Sequence, residues 1–182
     1  MEGGGVTADV ISEPPGPDYI VKKHVGQPKY EDFTIQVAAG MSQAFYTWIQ
    51  ASFDQKYTRK SGAIIAADFN YKEISRREFR EALITEVSFP ALDGASKDPA
   101  YMTIKFAPET TKRVASKGGT VVGTPGKGAT AQKTWLPSNF RLKIDGLDQS
   151  TNKVNKIEAL VIKQTPVRDD IGDARDAQKE PG

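Results

Sequence analysis

The stretch that most constrains this chain is residues 29–60, KYEDFTIQVAAGMSQAFYTWIQASFDQKYTRK, which joins a strand pattern, a glycine turn and one amphipathic helix. Phe33, Ile35 and Val37 alternate with Thr34 and Gln36, the two-residue period of a half-buried strand. Gly40 breaks that pattern. Ser42 is then placed to cap a helix, its hydroxyl accepting from an orphan amide of the first turn, while Phe45 stands where a capping box needs Glu or Gln. Met41, Phe45, Trp48, Ile49 and Phe53 recur on one face, with Gln43, Thr47, Gln50 and Asp54 elsewhere, so the spacing predicts a helix over about 41–56. Burying such side chains contributes roughly 1.5–3 kcal/mol each, so this helix is expected to dock on the β-structure around it.

A chain of 182 residues with 38% hydrophobic and 26% charged residues has the makings of one soluble domain, or one and a part. Its net charge of +2, with acids and bases interleaved, gives no ground for a nucleic-acid or membrane partner. The absence of cysteine excludes disulfides, thiolate zinc sites and cysteine nucleophiles, and fits a cytoplasmic origin. The sequence holds no apolar run of membrane-spanning length. The opening MEGGGVTADV lacks the basic and apolar regions of a signal peptide, so export by that route is not expected.

Residues 1–18 carry Gly3, Gly4 and Gly5, then Pro14, Pro15 and Pro17, and with little to bury they are expected to form a flexible arm. Residues 19–25 favour β-structure and 26–28 suggest a turn into the Phe33 strand. After the helix, residues 63–67 form a short apolar strand candidate ending at a polar turn over 68–73, a possible hairpin. From Glu73 to Leu83 propensity favours helix, whereas residues 84–89 favour strand up to Pro90, so local rules leave both states open through residue 83. Tyr101 to Phe106 alternates cleanly. Residues 113–134, rich in Gly, Lys, Thr and Ala, read as a linker or long loop. Within 135–165, Phe140, Leu142 and Ile144 alternate with Arg141, Lys143 and Asp145, and 157–163 is a second strand candidate. The charged run 166–182 reads as a disordered tail.

No catalytic, cofactor or metal constellation emerges. Gly123 to Gly128 superficially evokes a phosphate loop, but Val121 replaces the first glycine and Gly128 stands where Ser or Thr would bind magnesium. His24 is the only histidine, which rules out a multi-histidine metal site and reads better as a surface or strand residue. Asp169, Asp170, Asp173 and Asp176 lack the glycine turn and closing glutamate of a calcium loop. The pairs Lys22-Lys23, Arg59-Lys60 and Arg76-Arg77 read as solvated charges at strand ends rather than phosphate contacts.

Four pieces in order carry a resemblance: Lys29-Tyr30-Glu31-Asp32-Phe33-Thr34-Ile35, Phe45-Tyr46-Thr47-Trp48-Ile49, Arg59-Lys60-Ser61-Gly62-Ala63-Ile64-Ile65 and Phe79-Arg80-Glu81-Ala82-Leu83-Ile84. Over about residues 19–107 this order resembles the tail-tube proteins of contractile-tailed phages and phage-derived contractile injection systems, a fold shared with the haemolysin-coregulated tube protein of type VI secretion. The resemblance implies a mainly β domain over 19–112, a rolled antiparallel β-barrel with one flanking helix, assembling into hexameric rings that stack into a hollow tube. It also implies strand for residues 76–87.

The start departs from that pattern. Family barrels open with a strand of the form F-x-[FVL]-x-I-D-G and a second strand before the K-Y-E strand. Here the matching segments come late, Asn139-Phe140-Arg141-Leu142-Lys143-Ile144-Asp145-Gly146-Leu147 and the run 154–163. Two explanations follow: a piece of a longer tandem protein, which is the favoured expectation, or a permuted single barrel. Permutation requires residues 140–144 to pair with the sheet built from 19–107. Unpaired, Phe140, Leu142 and Ile144 would be an exposed edge able to add to a neighbour.

The expected role is structural, not enzymatic and without cofactors: a tube subunit with itself and sheath or baseplate proteins as partners, no membrane insertion, and nucleic acid only as passing cargo. Assembly in the cytoplasm and then residence in a virion tail or extracellular particle follow from the same resemblance. An adaptor, baseplate or cargo-linked module of the same particle is the alternative. A conduit wall should be polar, whereas an adaptor should present one exposed apolar patch.

Overall fold

The computed structural model describes residues 2–15, 17, 19, 21–38, 41–121, 135–169 and 178–181. The expected Gly40 turn, the glycine-rich stretch 123–128 and the tail residues 170–177 lie outside the described residues. Among those described, the strands are β1 Glu2–Gly3, β2 Val6–Ser12, β3 Lys23–Tyr30, β4 Phe33–Val37, β5 Lys60–Ala67, β6 Glu73–Phe89, β7 Leu92–Asp93, β8 Met102–Ala107, β9 Thr110–Val114, β10 Lys156–Ile157, β11 Leu160–Lys163, β12 Pro166–Asp169 and β13 Gln178–Pro181. Helix α1 spans Gln43–Phe53 and the short α2 Asp148–Thr151. The chain is mainly β, as expected, but the pairings among the described residues do not close into a barrel; the sheet path runs β1-β4-β8-β6-β11 with both ends open.

β6 is the spine. Its C-terminal half pairs with β8 on one edge and β11 on the other, and its N-terminal half with β9 and β5. The pairs Leu83↔Ala107 and Arg80↔Thr110 share one register, so β8 and β9 follow β6 as one strand interrupted at Pro108. Three irregularities bend β6, the first near its start, where Ala66↔Ser75 and Ala67↔Glu73 leave Ile74 as an extra residue. Opposite β5, the pairs Lys60↔Ala82 and Gly62↔Phe79 leave an extra residue on β6, where Glu81 adopts φ +50°. That left-handed residue is held by Ser61, whose Oγ accepts from the Glu81 amide at 3.1 Å and donates to its Oε1 at 3.2 Å. Opposite β8, Thr85 is the extra residue, its hydroxyl donating to Asp32 Oδ2 at 3.1 Å.

The open choice at residues 73–83 resolves as strand. Ladders on both edges satisfy the backbone here, and that non-local pairing outweighs helix propensity. The sheet over the C-terminal half of β6 has two unlike faces. Rows Phe33-Phe106-Ile84 and Ile35-Ile104-Val87-Ile162 lie on one, and rows Thr34-Lys105-Glu86-Lys163 and Gln36-Thr103-Ser88-Val161 on the other. The apolar face is covered by α1, completing a core of Phe33, Trp48, Ile49, Ala82, Ile84, Val87, Met102, Ile104 and Phe106.

Several expectations are corrected. Residues 2–12 are not a loose arm. Gly3 and Gly4 have positive φ, and the segment lies so close to β4 that a Cβ at Gly4 would overlap the Phe33 ring. Residues 26–28 lie within β3 and not in a turn; a bulge opposite Ala8 and Val10 absorbs the irregularity. Residues 113–114 end β9 rather than begin a linker, and Lys72 bridges Thr120. Residues 166–169 pair with 178–181 where composition predicted disorder. Phe140, Leu142 and Ile144 lie in no strand. The flanks of β6 are already taken by β8 and β11, and turns closed by Asn139 N–H to Leu136 O and Leu147 N–H to Ile144 O bracket the segment. Of the second late candidate, Lys156–Ile157 pairs with β7 and Leu160–Lys163 with β6.

Candidate assembly surfaces

The helix begins as its sequence predicts, with Ser42 Oγ accepting from the Phe45 amide at 3.3 Å. Of its apolar stripe, Trp48 and Ile49 are buried, and Met41, Phe45 and Phe53 pack half-buried against the core. Trp48 meets Phe45 edge-on at 5.7 Å and lies 6.0 Å from Phe106, while its Nε1 donates to Thr58 O at 2.7 Å. This face is therefore engaged within the chain. The exposed helical aromatic is Tyr46, one position off the stripe, which is why periodicity passes over it.

Tyr46 and Met102 both line two apolar hollows between α1 and the end of the sheet. One, about 360 Å³, also has Ile49, Phe53 and Phe89 in its wall; the other, about 290 Å³, has Val37, Met41 and Trp135. The last turn of α1 holds no basic residue; Lys56 follows the Asp54 cap, its amide donating to Ala51 O at 2.8 Å.

A second apolar feature lies at the β5–β6 turn. Asp68 Oδ1 accepts from the amides of Asn70 and Lys72, both at 2.8 Å, and Asp68 O accepts from the Tyr71 amide at 3.0 Å. The turn so fixed exposes Phe69 at 97%, beside Tyr71 at 55% and Ile74 at 61%. Composition predicts a polar turn over 68–73, yet an aromatic stands on either side of Asn70.

Behind the turn, Glu73 is held by Arg76 at two points, its carboxylate side chain only 3% exposed. The Arg76 hydrogen bonds hold the Glu73 carboxyl below its ordinary range, burial opposes them, and the Lys117 amide at 3.3 Å adds to the lowering. Ser116 Oγ donates to Glu73 O at 2.6 Å, so one residue clasps the segment after β9. Other cations expected to be solvated are also committed: Arg59 pairs with Glu109 at 2.6 Å and Arg77 donates to Gly4 O. On the polar sheet face Glu86 pairs with Lys105 and Lys163, linking three strands. His24 lies on β3, its Nε2 3.1 Å from Glu13 Oε1, a surface strand position as expected. Among the described residues no group of three or more His, Cys, Asp or Glu is placed to hold a metal, and no helix is long and apolar enough to cross a membrane.

No protein-family model matches the sequence, and no curated protein matches it significantly. Solved structures do. A chain from the cryo-EM structure of the anti-feeding prophage cap, the AFP tube terminating cap, gives a TM-score of 0.53 at 18% identity, over 63% of this chain and 78% of that one. A chain from the PVC sheath-tube complex of an extracellular contractile injection system, in its extended state, gives 0.54 at 20% identity with the same coverage. A chain from the six-fold symmetrised AFP baseplate gives 0.53 at 11% identity, over 62% of this chain and 77% of that one. The resemblance read from the four sequence pieces thus holds at the level of architecture, and the chain has the fold of the tube and cap proteins of contractile injection systems.

Proposed function

We propose that this chain is a structural subunit of the inner tube of a contractile phage tail or phage-derived contractile injection system, self-assembling into stacked rings of six. The observation that carries this reading is the division of the sheet. One face is apolar and covered by α1, while the other carries Thr34, Gln36, Ser88, Thr103 and the Lys105-Glu86-Lys163 linkage, the polar surface suited to a conduit wall. In this reading the bent sheet forms the barrel wall of the tube fold, and sheath and baseplate proteins contact the outside. Subunits assemble in the cytoplasm before the particle is released. Rings close by heterologous contacts, in which two different patches of the same chain meet.

Electron microscopy of the purified protein, with sedimentation velocity, tests it: rings or tubes of constant diameter are expected, and a monodisperse monomer at high concentration overturns it. A second reading, a cap or baseplate component, is favoured by similarity to cap and baseplate structures as well as a sheath-tube complex. Single rings that never stack would select it.

A further inference from the structure

β6 and β9 carry a polar cluster that none of the surfaces above uses. Their register sets Glu78 opposite Lys112 and Arg80 opposite Thr110, and residues directly opposite one another in a ladder share a face. Phe79 and Thr111, between them, belong to the other face. The four side chains therefore rise from a block about 5 Å wide and about 7 Å long. Tyr30, at the end of β3, joins them in the wall of a cleft of about 330 Å³. Arg80 and Lys112 are exposed, and Glu78, Thr110 and Tyr30 are half-buried.

We propose that this cleft binds a small molecule through a single carboxylate group, gripped by the Arg80 guanidinium. Charge selects that ligand. One acid, Glu78, and two bases, Arg80 and Lys112, line the cleft, a surplus of one positive charge. Glu78 and Lys112 offset each other across the ladder, which leaves Arg80, without an ion-pair partner among the described residues, as the surplus cation. The charges next in line are committed elsewhere. Glu81 is held by Ser61 on the β5 side of β6, Glu109 by Arg59, Glu31 by the Gly5 amide, Arg76 by Glu73 and Lys29 by Asp9. Arg77 and Arg113 pair on the other face. A monocarboxylate brings the cleft to neutrality, whereas a doubly charged phosphate or sulfate leaves excess negative charge beside Glu78. Geometry agrees, since a guanidinium offers two parallel N–H donors to the two oxygens of a carboxylate, and the Thr110 hydroxyl opposite it adds a further donor. The volume lies near the lower end of ligand pockets, roughly 300–1,000 Å³, which restricts the ligand to a small one. The site does not depend on the self-assembly reading.

Saturation-transfer NMR tests it, because the signal read is the ligand's own whatever the size of the protein assembly. N-acetylglycine should give a saturable response at constant ionic strength, and N-acetylglycinamide, of the same shape without the charge, should bind at least tenfold more weakly. Arg80→Gln should weaken N-acetylglycine at least tenfold, while Glu78→Gln, which raises the surplus to two charges, should tighten it. A folding defect does not produce opposite signs at two residues of one strand face. Lys72→Gln, outside the cleft, should leave the affinity within twofold. No saturable response to N-acetylglycine, equal binding of the amide, or an affinity that Arg80→Gln leaves unchanged would each overturn the site, and the subunit reading would stand untouched.

Discussion

Arg76 grips Glu73 at two points, Nε to Oε1 at 2.8 Å and Nη2 to Oε2 at 2.7 Å, across three positions of a single strand. The arrangement keeps the carboxylate ionised in the folded chain below the pH at which it would protonate in an unfolded one. Its stabilising contribution is therefore complete above the ordinary glutamate value of about 4.5 and is lost as pH falls through the lower folded value. Urea midpoints should decline below about pH 4.5, and Glu73→Gln should lower the neutral-pH midpoint while flattening part of that acid limb. An unchanged acid limb in the variant would remove Glu73 from the account. The raised Arg76 value acts only far above neutrality and leaves this window untouched.

Gly4 packs directly against the Phe33 ring. Gly4→Ala combines a left-handed backbone position with overlap on Phe33, and a loss of about 2–4 kcal/mol in unfolding free energy is expected. Gly119→Ala, where a Cβ would meet no atom within contact distance, should stay within about 0.5 kcal/mol. Denaturant titration of the two variants separates close approach from a general intolerance of substituted glycines.

Trp48 joins the helix to both the sheet and the chain that follows. Trp48→Ala should cost about 3–5 kcal/mol through lost packing on Phe106 and Phe45. Trp48→Phe keeps much of the ring and loses the hydrogen bond to Thr58 O, so a cost nearer 1–2 kcal/mol is expected by the same titration.

Gln164 ties the end of β11 to two distant elements: its amide donates to Thr85 O at 2.8 Å, and its side-chain Nε2 donates to Ser52 O of α1 at 2.8 Å. Truncation after residue 159 removes these bonds and the cover that Ile162 gives Val87. Stability should fall by at least the roughly 1.5–3 kcal/mol of one buried aliphatic side chain, with increased binding of a hydrophobic dye. An unaltered midpoint would mean that β11 adds nothing to the fold of the preceding residues.

How much was legible in the sequence differs element by element. The Phe33 strand, the Ser42 cap, the Trp48 face and the Met102 strand each follow from spacing within a few residues, and all four stand in the fold. Composition predicts a loose segment at 3–5, because glycine buries almost no side chain. It packs instead because the absence of a side chain admits a neighbouring backbone, and no count of apolar residues reports that. The alternation at Phe140 looked like a strand, yet a strand also needs a free edge, and β8 and β11 already flank the C-terminal half of β6. Among surface features, the exposure of Phe69 and Tyr46 does not follow from periodicity, because one stands in a polar turn and the other beside the helical stripe.

By itself the sequence determined that residues 29–60 form a strand and a capped amphipathic helix, because periodicity and capping act between residues at most four apart. Local propensity leaves residues 73–83 open and the resemblance implies strand only for 76–87; the tertiary structure decided that all of 73–83 joins the same strand as 84–89. Their backbone amides and carbonyls are satisfied by β5 and β9, segments that local propensity does not see. That choice makes β6 long enough to carry the Phe69 turn at one end and the Tyr46 hollow at the other.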